Sequence, residues 1–433
     1  MTASPHAQNL LDFIDASPSP WHVVATIEQH LQNAGFQRVH ESEPWQLTVG
    51  GRYYVIRDDS SIAAFVVGAK SLAEQGFKIL GAHTDSPGLR IKPNPVLSGD
   101  NVIRLAVEVY GGPILATFTD RDLSLAGRVA YQNQQGAIDS RLIRFEQPLL
   151  RLPNLAIHMN RAVNEDGLKL NKQTELPLLF AQALEQQLNG NPLQNLMQQA
   201  TGLQGEQILA WELNVYDTQK GAFWGESGEF LADSQLDNLA SCHAGLTALL
   251  EESALNSGNT LVCAFFDHEE IGSESCKGAA GSFLPDVLQR IASANLTTDE
   301  DFKRTLSNSL MVSADMAHAY QPNFPHAYEP GHKITVNQGP VIKINANHRY
   351  ASNCLSEAAF VDICRQAGVP FQKYSHRGDL PCGSTIGPIV STKLGITTVD
   401  VGNPMWAMHS ARESAGVVDH DYMIRALTCF FSR

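Results

Sequence analysis

The chain has 433 residues, 43% of them apolar and 18% charged, with a formal net charge of −14. That length exceeds one simple core and implies about two or three domains, while the acidic balance excludes nucleic acid and anionic membranes as natural partners. No apolar run nears the roughly 20 residues of a bilayer span, the start Met1-Thr2-Ala3-Ser4-Pro5-His6 lacks a secretory pattern, and seven scattered cysteines without a C-x-x-C pair fit a reducing cytoplasm.

Amphipathic helices are predicted over residues 7–14 and 21–34, divided by Ser17-Pro18-Ser19-Pro20. Gly50-Gly51 separates two short strand-like runs. Residues 62–68 read as another strand, and the apolar run 77–82 ends at His83-Thr84-Asp85. From 93 to 228 the character changes. Residues 102–110 and 127–132 alternate or carry β-branched side chains, as strands do, and Gly111-Gly112-Pro113 marks a turn. The Gln/Asn/Leu-rich stretch 171–207 reads as solvated helix and loop. Strand–helix alternation returns with a helix over 236–255, a strand over 260–266 and a helix over 281–292. Strands at 310–314 and 341–345, a helix at 356–366, a strand at 397–401 and a closing helix at 419–431 follow. The expected fold is α/β, a mostly parallel sheet flanked by helices. It is assembled from residues 1–92 and 229–433, with 93–228 inserted as a separate domain.

The run 260–266 is followed by Asp267-His268-Glu269-Glu270-Ile271-Gly272-Ser273. Adjacent glutamates repel, so a fold that places both at a strand end needs a reason. A cation supplies one, with one carboxylate as ligand and the other kept as a base. Similar positions hold His83 and Asp85, then Asp237, Asp315 and His409. Each has an ordinary alternative: Asp237 or Asp315 as a helix cap, His83 as a core histidine held by Asp85, His409 as a loop cap. Together they converge, because strand ends of one parallel sheet share an edge. Two histidines with Asp237, Glu270 and Asp315 exceed a single tetrahedral zinc and suit two divalent ions, zinc first, manganese or cobalt tolerated. Asp237 is the expected bridge, His83 and Asp315 the ligands of one ion, Glu270 and His409 those of the other. Asp85 is expected to hydrogen-bond the far nitrogen of His83, and Glu269 to act as general base.

The ordered matches His83-Thr84-Asp85-Ser86-Pro87, Tyr110-Gly111-Gly112, Asp120-Arg121-Asp122-Leu123, Asp237-Asn238-Leu239, the Asp267–Ser273 segment, Ser313-Ala314-Asp315-Met316-Ala317-His318, Val341-Ile342-Lys343, Pro381-Cys382-Gly383-Ser384-Thr385-Ile386-Gly387-Pro388 and Met408-His409-Ser410 resemble the M18 metallopeptidases, the aspartyl aminopeptidases. The resemblance implies removal of N-terminal Asp or Glu from peptides and a two-metal site. It also implies a zinc-peptidase-like catalytic domain interrupted by a β-rich dimerisation domain, and a tetrahedral homododecamer built from dimers. It implies a substrate-binding role for Lys343 and for His158 reaching a neighbouring subunit; His318 and His348 are weaker candidates near the pocket. The chain departs from the family pattern at 113–119 and at His348, which bears on fine substrate preference. Alternatives are a neutral aminopeptidase, a deacylase or carboxypeptidase on the same site, or a cage-forming scaffold with a vestigial site.

Overall fold

The computed structural model describes residues 4–183, 191–204, 207–295 and 298–433. The chain divides into two compact units. One comprises residues up to Asp85 with 221–408 and 413–433, and the other comprises Ser86–Lys220 with His409–Arg412. These borders fall several residues before the sequence borders at 92/93 and 228/229.

Among the described residues, the main sheet of the first unit has nine strands. Their order is Gln37–Arg38, Arg52–Arg57, Ser61–Val66, Thr260–Phe266, Phe77–His83, Leu310–Ala314, Thr397–Gly402, Val341–Ile344 and Gln372–Ser375. The four strands from Thr260–Phe266 to Thr397–Gly402 run parallel. Antiparallel pairs lie on either side of them. Thr260–Phe266 is buried along its whole length. Its Leu261, Cys263 and Phe265 pack with the helices Pro5–Ala16, Pro20–Asn33, Leu236–Leu250 and Val417–Ser432, whereas Val262, Ala264 and Phe266 pack with Phe283–Asn295 and Ile386–Leu394. Successive strand side chains point to opposite faces, so helices cover both. Burial on both faces is why this strand reads as an unbroken apolar run rather than an alternating one. The parallel centre also brings the carboxyl ends of three strands to one edge, where His83 pairs in register with Phe266 and Asp315 follows Ala314.

Several expectations need correction. The predicted helix 236–255 stops at Leu250 and resumes as Glu252–Leu255, because Glu251 is extended. The helices Asp299–Asn308 and Ile386–Leu394 were not anticipated. Neither was a second sheet of the first unit, ordered Ala222–Trp224, Phe230–Asp233, Glu413–Gly416, Pro404–Trp406 and Ala317–His318. Its strands have two to four residues, too few to display a period.

Among the described residues, the second unit carries an antiparallel sheet of six strands. Its order is Ile138–Arg144, Leu123–Gln132, Ile208–Asp217, Gly88–Gly99, Val102–Tyr110 and Leu178–Gln182. Leu89, Leu105, Leu125, Val129 and Leu213 contribute to its core. Within the predicted solvated stretch 171–207, Leu178–Gln182 is instead a strand paired with Val102–Tyr110. Pro192–Thr201 is a helix burying Leu193 and Met197, and its first turn is capped by the Asn191 side chain. Residues 184–190 and 205–206 of that stretch lie outside the described residues. No helix among the described residues is long and apolar enough to cross a membrane.

Under the first unit's sheet, Nδ1 of His243 lies 2.8 Å from Nε2 of His420, and both rings are buried. Burial, with His30 and His6 at longer range, pushes the His243 pKa down to about 3 from its ordinary 6.5. Burial likewise holds His420 well below that value. Above pH 6.5 neither folded nor unfolded chain binds a proton there. Below it the unfolded chain takes up a proton that the folded chain refuses, so stability falls with acidification by about 1.4 kcal/mol per pH unit for each histidine. The stability advantage of the wild type over His243→Gln should therefore shrink as pH drops from 6.5 to 5, measured by urea unfolding. An advantage that stays constant across that range would contradict the neutral buried pair.

Candidate metal centre

His83 ends the strand Phe77–His83 and is buried. Its Nδ1 donates to the main-chain carbonyl of Asp85 at 2.9 Å. That bond fixes the tautomer and turns the Nε2 lone pair toward Asp237 Oδ1 at 3.5 Å, Asp315 Oδ1 at 3.7 Å and Glu269 Oε2 at 4.0 Å. Ligand atoms of His83, Asp237 and Glu270 all lie within 4.8 Å of one another.

Each carboxylate is positioned by its element. Asp237 does not cap its helix. The cap position is Gln235, and Asp237 itself is non-helical at φ −83° and ψ 105°. Its amide donates to Glu413 Oε2 at 3.0 Å, and the neighbouring Asn238 side chain donates to the Ala314 carbonyl at 2.8 Å. Asp315 faces His83 and also Lys343, whose Nζ is 3.5 Å from its carboxylate. Glu269 and Glu270 open the single 3-10 turn Glu269–Ile271 directly after the strand Thr260–Phe266.

Asp85 differs from expectation. Its carboxylate is 3.5 Å from His83 Nδ1, so the carbonyl rather than the carboxylate orients the ring. The carboxylate instead accepts the amides of Glu269 and Glu270, one on each oxygen, both at 3.1 Å. Asp85 therefore fixes the backbone of both glutamates at once. Ser61 supports the same turn by accepting the Asp267 amide and donating to the Lys277 carbonyl, both at 2.9 Å.

The electrostatics follow from crowding. Burial disfavours a charged His83, yet Asp237, Asp315 and Asp85, with Glu269 beyond, carry its pKa well above the ordinary value. Burial also raises the Glu269 pKa well above normal, His83 opposing and Asp315, Glu270 and Asp85 adding to it. The donor set can be tested against a cation. Ligand atoms held tetrahedrally at about 2.1 Å from one zinc lie about 3.4 Å apart. The 3.5 and 3.7 Å separations from His83 Nε2 match that spacing. They are also too long for hydrogen bonds. Imidazole and carboxylate with no thiolate fit zinc, manganese or cobalt.

The remaining predicted residues lie as follows. Lys343 is buried, and its Nζ donates to the carbonyls of Asp315 at 2.8 Å and Met316 at 3.1 Å. The His318 ring is 6.0 Å from that of Tyr374. Burial, with the neighbouring Lys343 and His376 adding, lowers its pKa to about 4. His348 is exposed. His409 folds with the second unit, where its Nδ1 donates to the Gly112 carbonyl at 3.1 Å. His158 belongs to the same unit, in an exposed turn. Sequence reasoning missed Glu413, Tyr374 and His376. A lone buried glutamate in a four-residue strand leaves no periodic signal. His376, beside Arg377 and Asp379, reads as ordinary polar loop.

Residues 13–431 match the family described as aminopeptidase I zinc metalloprotease (M18). A protein of Stutzerimonas stutzeri (strain A1501), named probable M18 family aminopeptidase 2, is 46% identical over 430 residues, covering 98% of this chain and 97% of the relative. A chain in the cryo-EM structure of the Ape4 and Nbr1 complex superposes with a TM-score of 0.96 at 36% identity, covering 100% of this chain and 88% of that one. A chain of the S. cerevisiae mApe1 dodecamer gives 0.86 at 27% identity, covering 99% and 96%.

If the carboxylates repel one another and gather for a cation, two melting curves should cross. With chelator, Asp237→Asn should melt above the wild type, because one buried negative charge is gone. With zinc at about 100 times its dissociation constant, the wild type should gain about 2.7 kcal/mol and melt above the variant. An unchanged order in both conditions would refute a cation-binding role for Asp237.

Proposed function

The chain belongs to the M18 family of metallopeptidases, and from that premise we propose that it is an aminopeptidase that removes Asp or Glu from the N-terminus of peptides. His83, Asp237, Glu270 and Asp315 would hold two divalent ions, zinc first, with Asp237 shared. From its sequence position alone, His409 is the proposed remaining ligand. Bound there, the ions supply Lewis acidity, lowering the pKa of water and stabilising negative charge on a carbonyl oxygen.

The observation that carries the reading is the pairing of Glu270 with Glu269. One glutamate is grouped with His83 and Asp237. The other, next to it, has its backbone held by the same Asp85 carboxylate and its side chain only 15% exposed. A largely enclosed carboxylate beside the ligand group is placed for general-base work. Glu269 takes the proton of the attacking water on its carboxylate oxygen and delivers it to the nitrogen of the leaving amine. Asp85 keeps Glu269 aimed at that water through the amide it accepts.

Lys343 bears on the substrate. A buried ammonium beside the ligand edge provides local positive charge within a protein of net charge −14, and an acidic first residue needs such a cation nearby. A second reading, a preference for neutral first residues, draws on the same lysine, since its Nζ already donates to the Asp315 and Met316 carbonyls.

Self-association is part of the proposal. The yeast relative is a dodecamer, and we extend to this chain a tetrahedral dodecamer of dimers. In the second unit, Leu155, Ile157 and Met159 expose apolar side chains around His158. A segment of that kind fits an interface between copies, with His158 the residue offered to a neighbour's substrate.

Two experiments test this. Metal-loaded Glu269→Gln should keep the wild-type metal content and lose at least 100-fold in kcat, whereas His409→Ala should lose metal as well. Retained turnover in the first variant would remove Glu269 as base, and retained metal content in the second would remove His409 as ligand. Lys343→Ala should lower kcat/KM for aspartyl anilide far more than for alanyl anilide. An equal loss on both would favour the neutral reading.

A further inference from the structure

Resting on the reading just given, that the first residue of the substrate is acidic, we propose that His376 is a specificity-determining residue whose Nε2–H receives the side-chain carboxylate of that residue.

The strands Val341–Ile344 and Gln372–Ser375 run parallel, with Lys343 aligned against Tyr374. The lysine is largely occupied. Two of its three ammonium hydrogens go to the carbonyls of Asp315 and Met316. The charge also lies 3.5 Å from the Asp315 carboxylate and 5.2 Å from the centre of the Tyr350 ring. It contributes field, but at most one hydrogen bond, whereas a carboxylate has two oxygens to satisfy.

A second donor stands beside it. The Tyr374 hydroxyl is 2.6 Å from Nδ1 of His376. We assign the phenol as donor to Nδ1, the tautomer that the substrate panel below tests. The imidazole proton then resides on Nε2. That atom is enclosed and has no hydrogen-bond partner among the described residues. A buried donor left in that state is costly, and a ligand oxygen would satisfy it. The His376 ring lies 6.3 Å from that of His318. His318 in turn follows Asp315 by three residues and feels the charges of Asp237 and Asp315. The donor therefore neighbours His318 and Tyr374, and Tyr374 is aligned with Lys343 across the strand pair. The opposite tautomer, with Nδ1 donating to the phenol oxygen, would leave a lone pair on Nε2 and favour an amide side chain instead.

The test compares the metal-loaded wild type with His376→Asn, His376→Gln and Tyr374→Phe on Asp-, Glu-, Asn- and Ala-p-nitroanilides. Asparagine keeps a polar group near Nδ1 and removes the Nε2 donor, while glutamine reaches the Nε2 position. His376→Asn should lose about 10- to 100-fold in kcat/KM on the acidic substrates, mostly through KM, and little on alanine. His376→Gln should recover most of that loss. Tyr374→Phe, which unties the ring, should shift the acidic-to-alanine ratio in the same direction by a smaller factor. Equal losses on acidic and alanine substrates, no loss in His376→Asn, or a wild type that prefers Asn to Asp would each overturn the assignment. A wild type that cleaves acidic substrates no better than alanine would overturn the underlying acidic reading as well. A wild type that prefers them while His376→Asn is unaltered would overturn this assignment alone.

Discussion

Negative charge is concentrated around one buried imidazole, and the first unit is organised about that fact. Asp85, Asp237, Glu269, Glu270 and Asp315 converge on His83 within a few ångströms, and Lys343 lies 3.5 Å from Asp315. Taking carboxylates out of water costs several kcal/mol each unless compensated. Backbone amides compensate Asp85, and a lysine partly compensates Asp315. What remains has the spacing and chemistry of a cation cradle. The two glutamates, adjacent in sequence, open one short turn, and in the proposed reading one would hold a cation while the other takes a proton.

The sheet makes this arrangement possible. Parallel central strands deliver His83, the glutamate turn and Asp315 to one edge, and each is then tied to another element. Asp85 binds the glutamate turn through both oxygens. Asn238 ties the start of the helix Leu236–Leu250 to the strand Leu310–Ala314. Glu413, from the smaller sheet, accepts the Asp237 amide. Precision therefore comes from backbone amides and carbonyls held by buried side chains, which would support the proposed ligands from behind. Asp85 would act through position, by orienting Glu269 and Glu270.

Much of this was legible in the residues. Long apolar runs bounded by acids or histidine announced the central strands, and the location of chemistry at their carboxyl ends followed from parallel pairing. The Asp85 contact was legible only in part. Proximity to His83 was right, but whether the carbonyl or the carboxylate met the ring depends on backbone geometry that spacing does not encode. The short strands of the second sheet, the strand Leu178–Gln182 within a polar stretch, and the Tyr374–His376 pair were illegible for related reasons. The strands depend on partners distant in sequence, the Tyr374–His376 pair on side-chain orientation within one short segment, and none repeats long enough to show a period. The predicted helix over 236–255 failed at Glu251, where an otherwise favourable composition gives no stop signal.

The most direct measurement is anomalous diffraction from crystals grown with zinc, collected on both sides of its absorption edge. The account predicts strong density about 2.0–2.2 Å from His83 Nε2 and from oxygens of Asp237 and Asp315, with a second peak about 3.5–4 Å away beside Glu270. Absence of density at the His83 cluster, with zinc bound elsewhere on the chain, would contradict it.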